Sequence, residues 1–377
     1  MKPPVRTILK RSLTRAALLL LRSLRRAAIL LLAVLRHRGV QALLAVFIGG
    51  VLFSPVKEGT GFPVYVSIYQ WLHNLFGGHE VIRTGVPLFL QPTTQKNVVF
   101  EYAEYGILAT GMTAVILTGG IDLSVGSVLG LSATLCAIFL IQFGWSPVTA
   151  IALCLLTGSA LGATSGVLIS RFRIQPFVAT LAMMVAARGL AKLVSGGQKI
   201  QPGMPGSVLT ENPPLFDAMT RWFTWQLLTP ITLLFLVGIV VLWLVVRYTR
   251  FGRYLYAIGG NEEAARLSGI RVSWVKVIAY ALCGLMAALA GVCNASQLTQ
   301  GDPEAGFTYE LDAIAAVVIG GTSLMGGRGG VMLTLLGTLI IGYMNKILSL
   351  NGAEEAIRLL AKGGIIIAAV LIQRRRD

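Results

Sequence analysis

The sequence predicts an all-α, polytopic membrane protein. It has about ten transmembrane helices in two related halves, with broken helices at two Gly-Gly motifs. Three observations lead there. Of 377 residues, 55% are hydrophobic and only 13% are charged, against about 25% charged in a soluble domain; mean hydropathy is +0.74. The apolar runs are long and glycine-rich, whereas a transmembrane β-barrel would show short alternating segments. Finally, Thr118–Ser127 (TGGIDLSVGS) interrupts an apolar region, and Gly320–Gly330 (GGTSLMGGRGG) echoes it 201 positions later. At that offset Gly119 and Gly120 meet Gly320 and Gly321, Leu123 meets Leu324, Gly126 meets Gly327, and Asp122 meets Ser323. Non-helical backbone at membrane depth is tolerated only where protein or a water-filled cavity surrounds it. Paired glycine-interrupted segments in corresponding halves point to a substrate path.

The net charge of +16 would suit nucleic acid, but its distribution argues for a membrane instead. Ten Lys or Arg and no acid fall in residues 1–38, and Arg374, Arg375 and Arg376 close the chain. Basic flanks on apolar spans mark the cytoplasmic side. The four cysteines, Cys136, Cys154, Cys283 and Cys293, sit inside apolar runs at spacings that fit no metal site or disulfide framework. They read as small core residues. His37, His73 and His79 form no ligand pattern. There is no Gly-x4-Gly-Lys-Ser/Thr phosphate loop, so nucleotide hydrolysis by this chain alone is not expected, and no cofactor is implied.

In chain order, residues 1–38 hold two apolar runs, Ala16–Leu21 and Ala27–Leu35, each too short to span. A basic interfacial helix suits them; a poorly ordered basic tail and a signal peptide compete. Span one is expected near Val40–Pro55. Val56–Asn97, mixed in charge, reads as an external loop with a short helix around Val64–Phe76. Spans two to five are expected near Val98–Thr118, Leu123–Ile141, Val148–Ser170 and Pro176–Val194. Ser195–Trp225 reads as a second external loop. Span six, near Leu228–Val246, leads into the basic segment Arg247–Lys276, expected inside. Span seven is expected near Val277–Leu298. The next turn, with Asp302, Glu304, Glu310 and Asp312 and no base, reads as external. Spans eight to ten are expected near Leu311–Met325, Val331–Leu350 and Ala356–Gln373. Ten spans leave both termini inside and make the repeat parallel rather than inverted.

Asn261 followed by Glu262 and Glu263, with Gly269 beyond, has the marks of a capped helix of about eight residues. It stands alone between two spans. Asp122 aligns with Ser323, and both types cap helices, so capping at the start of span three is favoured over a ligand role. Arg188 lies in the middle of span five, and an intramembrane ion usually has a partner; Asp122 is the candidate. Lys192, nearer the outer end, suits snorkelling. Asn294 and Asn345 read equally as substrate ligands and as interhelical bonds. Gly106/Gly111, Gly126/Gly130 and Gly337/Gly342 read as close-packing sites.

Several of these motifs together resemble a known family. Glu263-Ala264-Ala265 with Gly269 looks like the coupling motif of ATP-binding cassette (ABC) importer permeases. Gly119–Gly126, Tyr309–Gly327, Gln175–Leu181 and Ala187-Arg188-Gly189 resemble the ribose-type sugar permeases of bacterial ABC importers, including the galactofuranose branch. The resemblance runs from about Gln91 to Gln373; the basic N-terminal segment and the long first loop fall outside it. It implies a permease domain over residues 39–377 with a coupling segment at 250–276. Asn261, Glu263, Ala264, Ala265 and Gly269 would dock on a separate ATPase. Asp122, Ser124, Arg188, Asn294, Asp312 and Asn345 would be the polar residues of the substrate path. It also implies a periplasmic sugar-binding protein, a second permease subunit, and a place in the bacterial inner membrane. The rival is a self-sufficient secondary transporter or channel. That rival would want repeated intramembrane acids, and Asp122 is the one acid expected deep in a core.

Overall fold

The computed structural model describes residues 38–53, 56–57, 86–223 and 228–374. The basic segment up to residue 37, the expected helix around Val64–Phe76 and the last three residues lie outside them. The described chain is helical, apart from a two-residue antiparallel pairing of β1 (Val56–Lys57) with β2 (Val86–Pro87). The helices are α1 (Arg38–Phe53), α2 (Pro92–Glu101), α3 (Ala103–Leu117), α4 (Val125–Ala137), α5 (Pro147–Arg171), α6 (Pro176–Ser195) and α7 (Pro214–Thr220). There follow α8 (Pro230–Tyr248), α9 (Arg250–Gly260), α10 (Glu262–Leu267), α11 (Val272–Leu298), α12 (Tyr309–Gly320), α13 (Val331–Leu350) and α14 (Glu355–Arg374).

Local chemistry starts and stops them. Proline occupies the first turn of α5, α6 and α8, where its missing N–H costs nothing and its fixed φ suits the helix. The Ser146 and Thr229 hydroxyls accept the Thr149 and Thr232 N–H at 3.3 and 3.2 Å. Helix α6 ends at Gly196, whose φ of +63° an L side chain rarely adopts.

Each expected span falls on helical chain, and α13 has the expected bounds. Among the described residues, six helices are long and apolar enough to cross a membrane. Three spans differ from expectation in how they break or end. Span two is divided at Tyr102, where φ −98° and ψ 3° leave the helix with neither Pro nor Gly to announce it. Span three ends in a π-helical turn over Ile138–Gln142. Span eight stops at Gly320, where Gly321 takes φ +112°, instead of reaching Met325.

Helix α11 is the centre of the bundle, packed on α5, α4 and α3. Small residues let it approach. A Cβ on Gly162 would stand 2.1 Å from the Tyr280 carbonyl oxygen, and one on Gly284 would stand 2.1 Å from that of Gly158. Between helices in lipid, where both faces are equally apolar, close van der Waals contact replaces the hydrophobic drive. The six glycines singled out in sequence are all close-approach sites; a Cβ on Gly337 would come within 1.8 Å of the Ala316 carbonyl oxygen. The further stripe Gly158, Gly162 and Gly166 escaped the sequence reading. Helix α3 is buried all round, as a helix apolar on every face should be.

Candidate functional site

The two Gly-Gly breaks meet. Helix α3 ends at Leu117, and Gly119 turns the chain at φ +76°. The Leu117 carbonyl then accepts the N–H of Gly327, in the second break, at 3.1 Å. Helix α9 closes the junction from a third side. A Cβ on Gly259 would lie 2.0 Å from the Leu117 oxygen and 2.3 Å from the Gly327 nitrogen. Three backbones thus touch at one point, and only glycine leaves room.

Asp122 is 1% exposed. Its Oδ1 accepts the Ser124 N–H at 2.9 Å and the Ser124 hydroxyl at 2.6 Å. Ser323, its counterpart, accepts the Met325 N–H at 3.3 Å. Both aligned residues therefore bond their own backbone two residues on, the side-chain-closed turn of Asp and Ser. This corrects the expected helix cap: Ser124, not Asp122, occupies the N-cap of α4, without a side-chain cap bond, and Gly330 that of α13. The carbonyl of Ile121, between these groups, accepts the Tyr280 hydroxyl at 3.3 Å.

Arg188 does not pair with Asp122. Its Nη1 donates to the Pro303 and Ala305 carbonyls at 2.5 and 2.7 Å, strapping the acidic turn to α6. Lys192 pairs with Glu304 at 2.5 Å, where snorkelling was expected, and Lys199 pairs with Asp302 at 2.9 Å. Ile200 and Gly301 exchange backbone bonds at 2.8 and 2.9 Å. The loop after α6 and the acidic turn thus form one layer.

The other path candidates gather around three tyrosines. Asn294 donates from Nδ2 to Glu104 at 2.9 Å, and the Tyr309 hydroxyl donates to the same carboxylate at 3.3 Å. The Tyr105 ring lies 4.3 Å from that of Tyr309 and 5.2 Å from that of Tyr102. A cavity of about 290 Å³ there is lined by these tyrosines, Asn345, Asp312 and Arg358. Asp312 is closed off by Lys362 at 2.7 Å. An aromatic wall with amide, carboxylate and guanidinium groups beside it offers apolar contact and directional hydrogen bonds together, the usual composition of a small-ligand site. Glu104, 4% exposed, corrects the expectation that Asp122 is the sole deep acid. It stood in the apolar run of span two, and the tyrosines at 102 and 105 flank it.

The coupling segment is two helices, not one. The six-residue α10 is preceded by α9, a helix the sequence reading passed over. The Asn261 side chain accepts the Ala264 N–H at 2.9 Å, and Gly269 turns out at φ +85°. Glu263 accepts from Arg266 at 2.6 Å, and that bond raises the guanidinium above its usual pKa. Lys276 on α11 holds Glu262 at 2.6 Å. Ala265 does not share an outward face with Gly269: it is 5% exposed and packs into the core, while Leu267 stands 79% exposed. The outward face is Ala264, Leu267 and Ser268, at the i, i+3, i+4 spacing that places residues together.

Comparison with known proteins fits this architecture. Ribose import permease protein RbsC of Escherichia coli (strain K12) is 42% identical over 300 residues, covering 79% of this chain and 90% of that one. Its namesake in Bacillus subtilis (strain 168) is 45% identical over 291 residues, covering 77% and 88%. Galactofuranose transporter permease protein YtfT of E. coli K12 is 35% identical over 322 residues, covering 84% and 90%. No solved structure matches significantly. Residues 96–370 match the profile of the family described as the branched-chain amino acid transport system / permease component, and the chain belongs to that family.

Proposed function

We propose that this chain is the membrane-spanning permease subunit of an ABC importer for a monosaccharide, working with a separate ATPase and a soluble sugar-binding protein. The relatives' names supply the sugar and the permease role, and the L-arabinose ABC transporter permease protein AraH of Azospirillum brasilense, 36% identical over 298 residues, supplies the transporter class. The observation that supports the mechanism is the junction of Gly119, Gly259 and Gly327. Gly259, in the last turn of α9, lies at both breaks, three residues before the exposed docking helix α10 begins, so force applied to Leu267 reaches the backbone that interrupts the spans. Two such subunits, identical or closely related, enclose the path, with both termini and the segment 247–276 in the cytoplasm.

In this reading Asn345 faces the sugar beside Tyr102, Tyr105 and Tyr309, the Asp312–Lys362 pair borders that site, and Asn294 acts through Glu104. Asp122 and Ser124 hold the first break in shape. Arg188 keeps the outer turn in register for the binding protein. The deep acids do not recommend a self-sufficient carrier: Glu104 is bonded to Asn294 and Tyr309, and Asp312 is paired with Lys362.

Uptake in proteoliposomes containing the chain, its ATPase and its binding protein tests the proposal, with a panel of sugars first ranked by affinity for the binding protein. ATP-independent uptake by the chain alone would reject it for the secondary carrier. Orientation is tested with single cysteines at Glu211 and Ser268. The native cysteines are buried, which keeps the background quiet. An impermeant thiol reagent on intact cells should label position 211 and spare 268.

A further inference from the structure

At the basic end of the bundle, a cavity of about 510 Å³ opens between the end of α8, helix α9 and the start of α13. Its lining is divided by chemistry. Trp243 and Met332 give it an apolar side, and Arg247 and Arg253 a cationic one, with Tyr256 between them. The Tyr256 hydroxyl donates to the Gly329 carbonyl at 3.0 Å, which fixes the ring. Neither guanidinium has an ion pair or hydrogen bond among the described residues. The acids of the same segment are engaged elsewhere, Glu262 with Lys276 and Glu263 with Arg266. Two backbone donors at the start of α13, the N–H groups of Val331 and Met332, also have no acceptor among the described residues. Together these make an uncompensated anion site: two guanidiniums and the positive end of a 20-residue helix.

We propose that this cavity seats the phosphate headgroup of an anionic phospholipid, with its acyl chains lying along Trp243 and the outer face of α8. A free phosphate would need no apolar wall. Here the apolar side runs on into Val240, Val241 and Leu244, all exposed on α8, as lipid-facing residues should be. Basic pockets between spans at the cytoplasmic surface are suited to anionic headgroups. The bound lipid has a consequence for coupling, because Arg253 and Tyr256 sit on the helix whose Gly259 enters the junction of the two breaks. A headgroup held between α8 and α13 braces α9 in place.

The test uses the full chain in nanodiscs that contain phosphatidylglycerol and phosphatidylethanolamine, with retained lipid read by native mass spectrometry after extraction. The intact chain should retain phosphatidylglycerol selectively. Arg247→Gln with Arg253→Gln should weaken that preference roughly thirtyfold, from the loss of two membrane-surface cations. Arg247→Lys with Arg253→Lys should keep most of it, as should Arg271→Gln at the same end outside the cavity. Equal retention by the Gln pair overturns the proposal, as does equal loss in the Lys pair. Millimolar inorganic phosphate raising the Tm of delipidated protein as much as phosphatidylglycerol does would make this a free-anion site. A Gln pair that keeps its lipid but no longer co-purifies with the ATPase would make it part of the docking surface.

Discussion

Replacing Gly259 by alanine adds one methyl group at the point where three backbones converge. That Cβ would lie 2.0 Å from the Leu117 oxygen, 2.3 Å from the Gly327 nitrogen and 3.0 Å from the Gly326 carbonyl carbon. All three are backbone atoms, so no flexible side chain can step aside. Attractive contact begins near 3.5 Å, so α9 and the breaks must part by roughly 1.5 Å. The two nearest atoms are also the acceptor and donor of the 3.1 Å bond that ties one break to the other, so the methyl group acts as a wedge in it. Overpacking of this kind costs about 1–3 kcal/mol, and a lost hydrogen bond adds about 1 kcal/mol. The docked arrangement of α9 should become at least tenfold less populated.

Gly260→Ala is the matched control: its Cβ would meet nothing within 4 Å. The assay is uptake in proteoliposomes with the ATPase and binding protein, alongside insertion yield and co-purification of the ATPase. Gly259→Ala should insert normally and retain the ATPase, since the exposed face of α10 is untouched, yet transport at a tenth of the Gly260→Ala rate or less. Equal transport by the two variants would refute the view that this junction transmits coupling.

Asp122→Asn keeps an acceptor for the Ser124 N–H and should transport near the normal rate, whereas Asp122→Leu leaves that buried donor bare at about 1–3 kcal/mol, read as lost insertion yield. An Asn variant that inserts but transports nothing would assign the charge itself a role. Leu267→Ala removes the exposed apolar side chain of α10 and should weaken ATPase binding by about 1.5–3 kcal/mol, ten- to a hundredfold in affinity, without changing the Tm of the isolated permease. Arg188→Met severs two charge-assisted bonds to the Pro303 and Ala305 carbonyls. It should lower stability by about 3 kcal/mol, measured by thermal unfolding in detergent; an unchanged Tm would contradict its strapping role.

Much of the helical layout was legible because its causes are local. Val331–Leu350 is an apolar run of spanning length with Gly330 before it and Asn351 after, and the helix has those bounds. Asn261 caps α10 as its residue type and the acids after it require. The pairing of Asp122 with Ser323 in the two repeats was readable too, and both close the same kind of turn. A signal for α9 was also present: Phe251, Leu255 and Ile258 recur at helical spacing, and Leu255 and Ile258 are buried. Its glycines obscured it.

What only the tertiary structure decided is who meets whom. Arg188 lies 115 positions from Pro303 and Asn294 lies 190 from Glu104, and no local periodicity encodes contacts at that separation. Ala265 and Ala264 are chemically the same, yet one is turned into the core and the other out, because the packing of α10 on α11 sets its rotation. Hydrophobic run length and capping chemistry act within one turn or one span, so the sequence by itself determined most of the spans and the two glycine breaks, but not the division at Tyr102 or the early end of α12 at Gly320. The convergence of Gly119, Gly259 and Gly327 depends on close packing among three segments far apart in the chain. Partner choice there is a property of the assembled bundle, reached only once the helices have become neighbours.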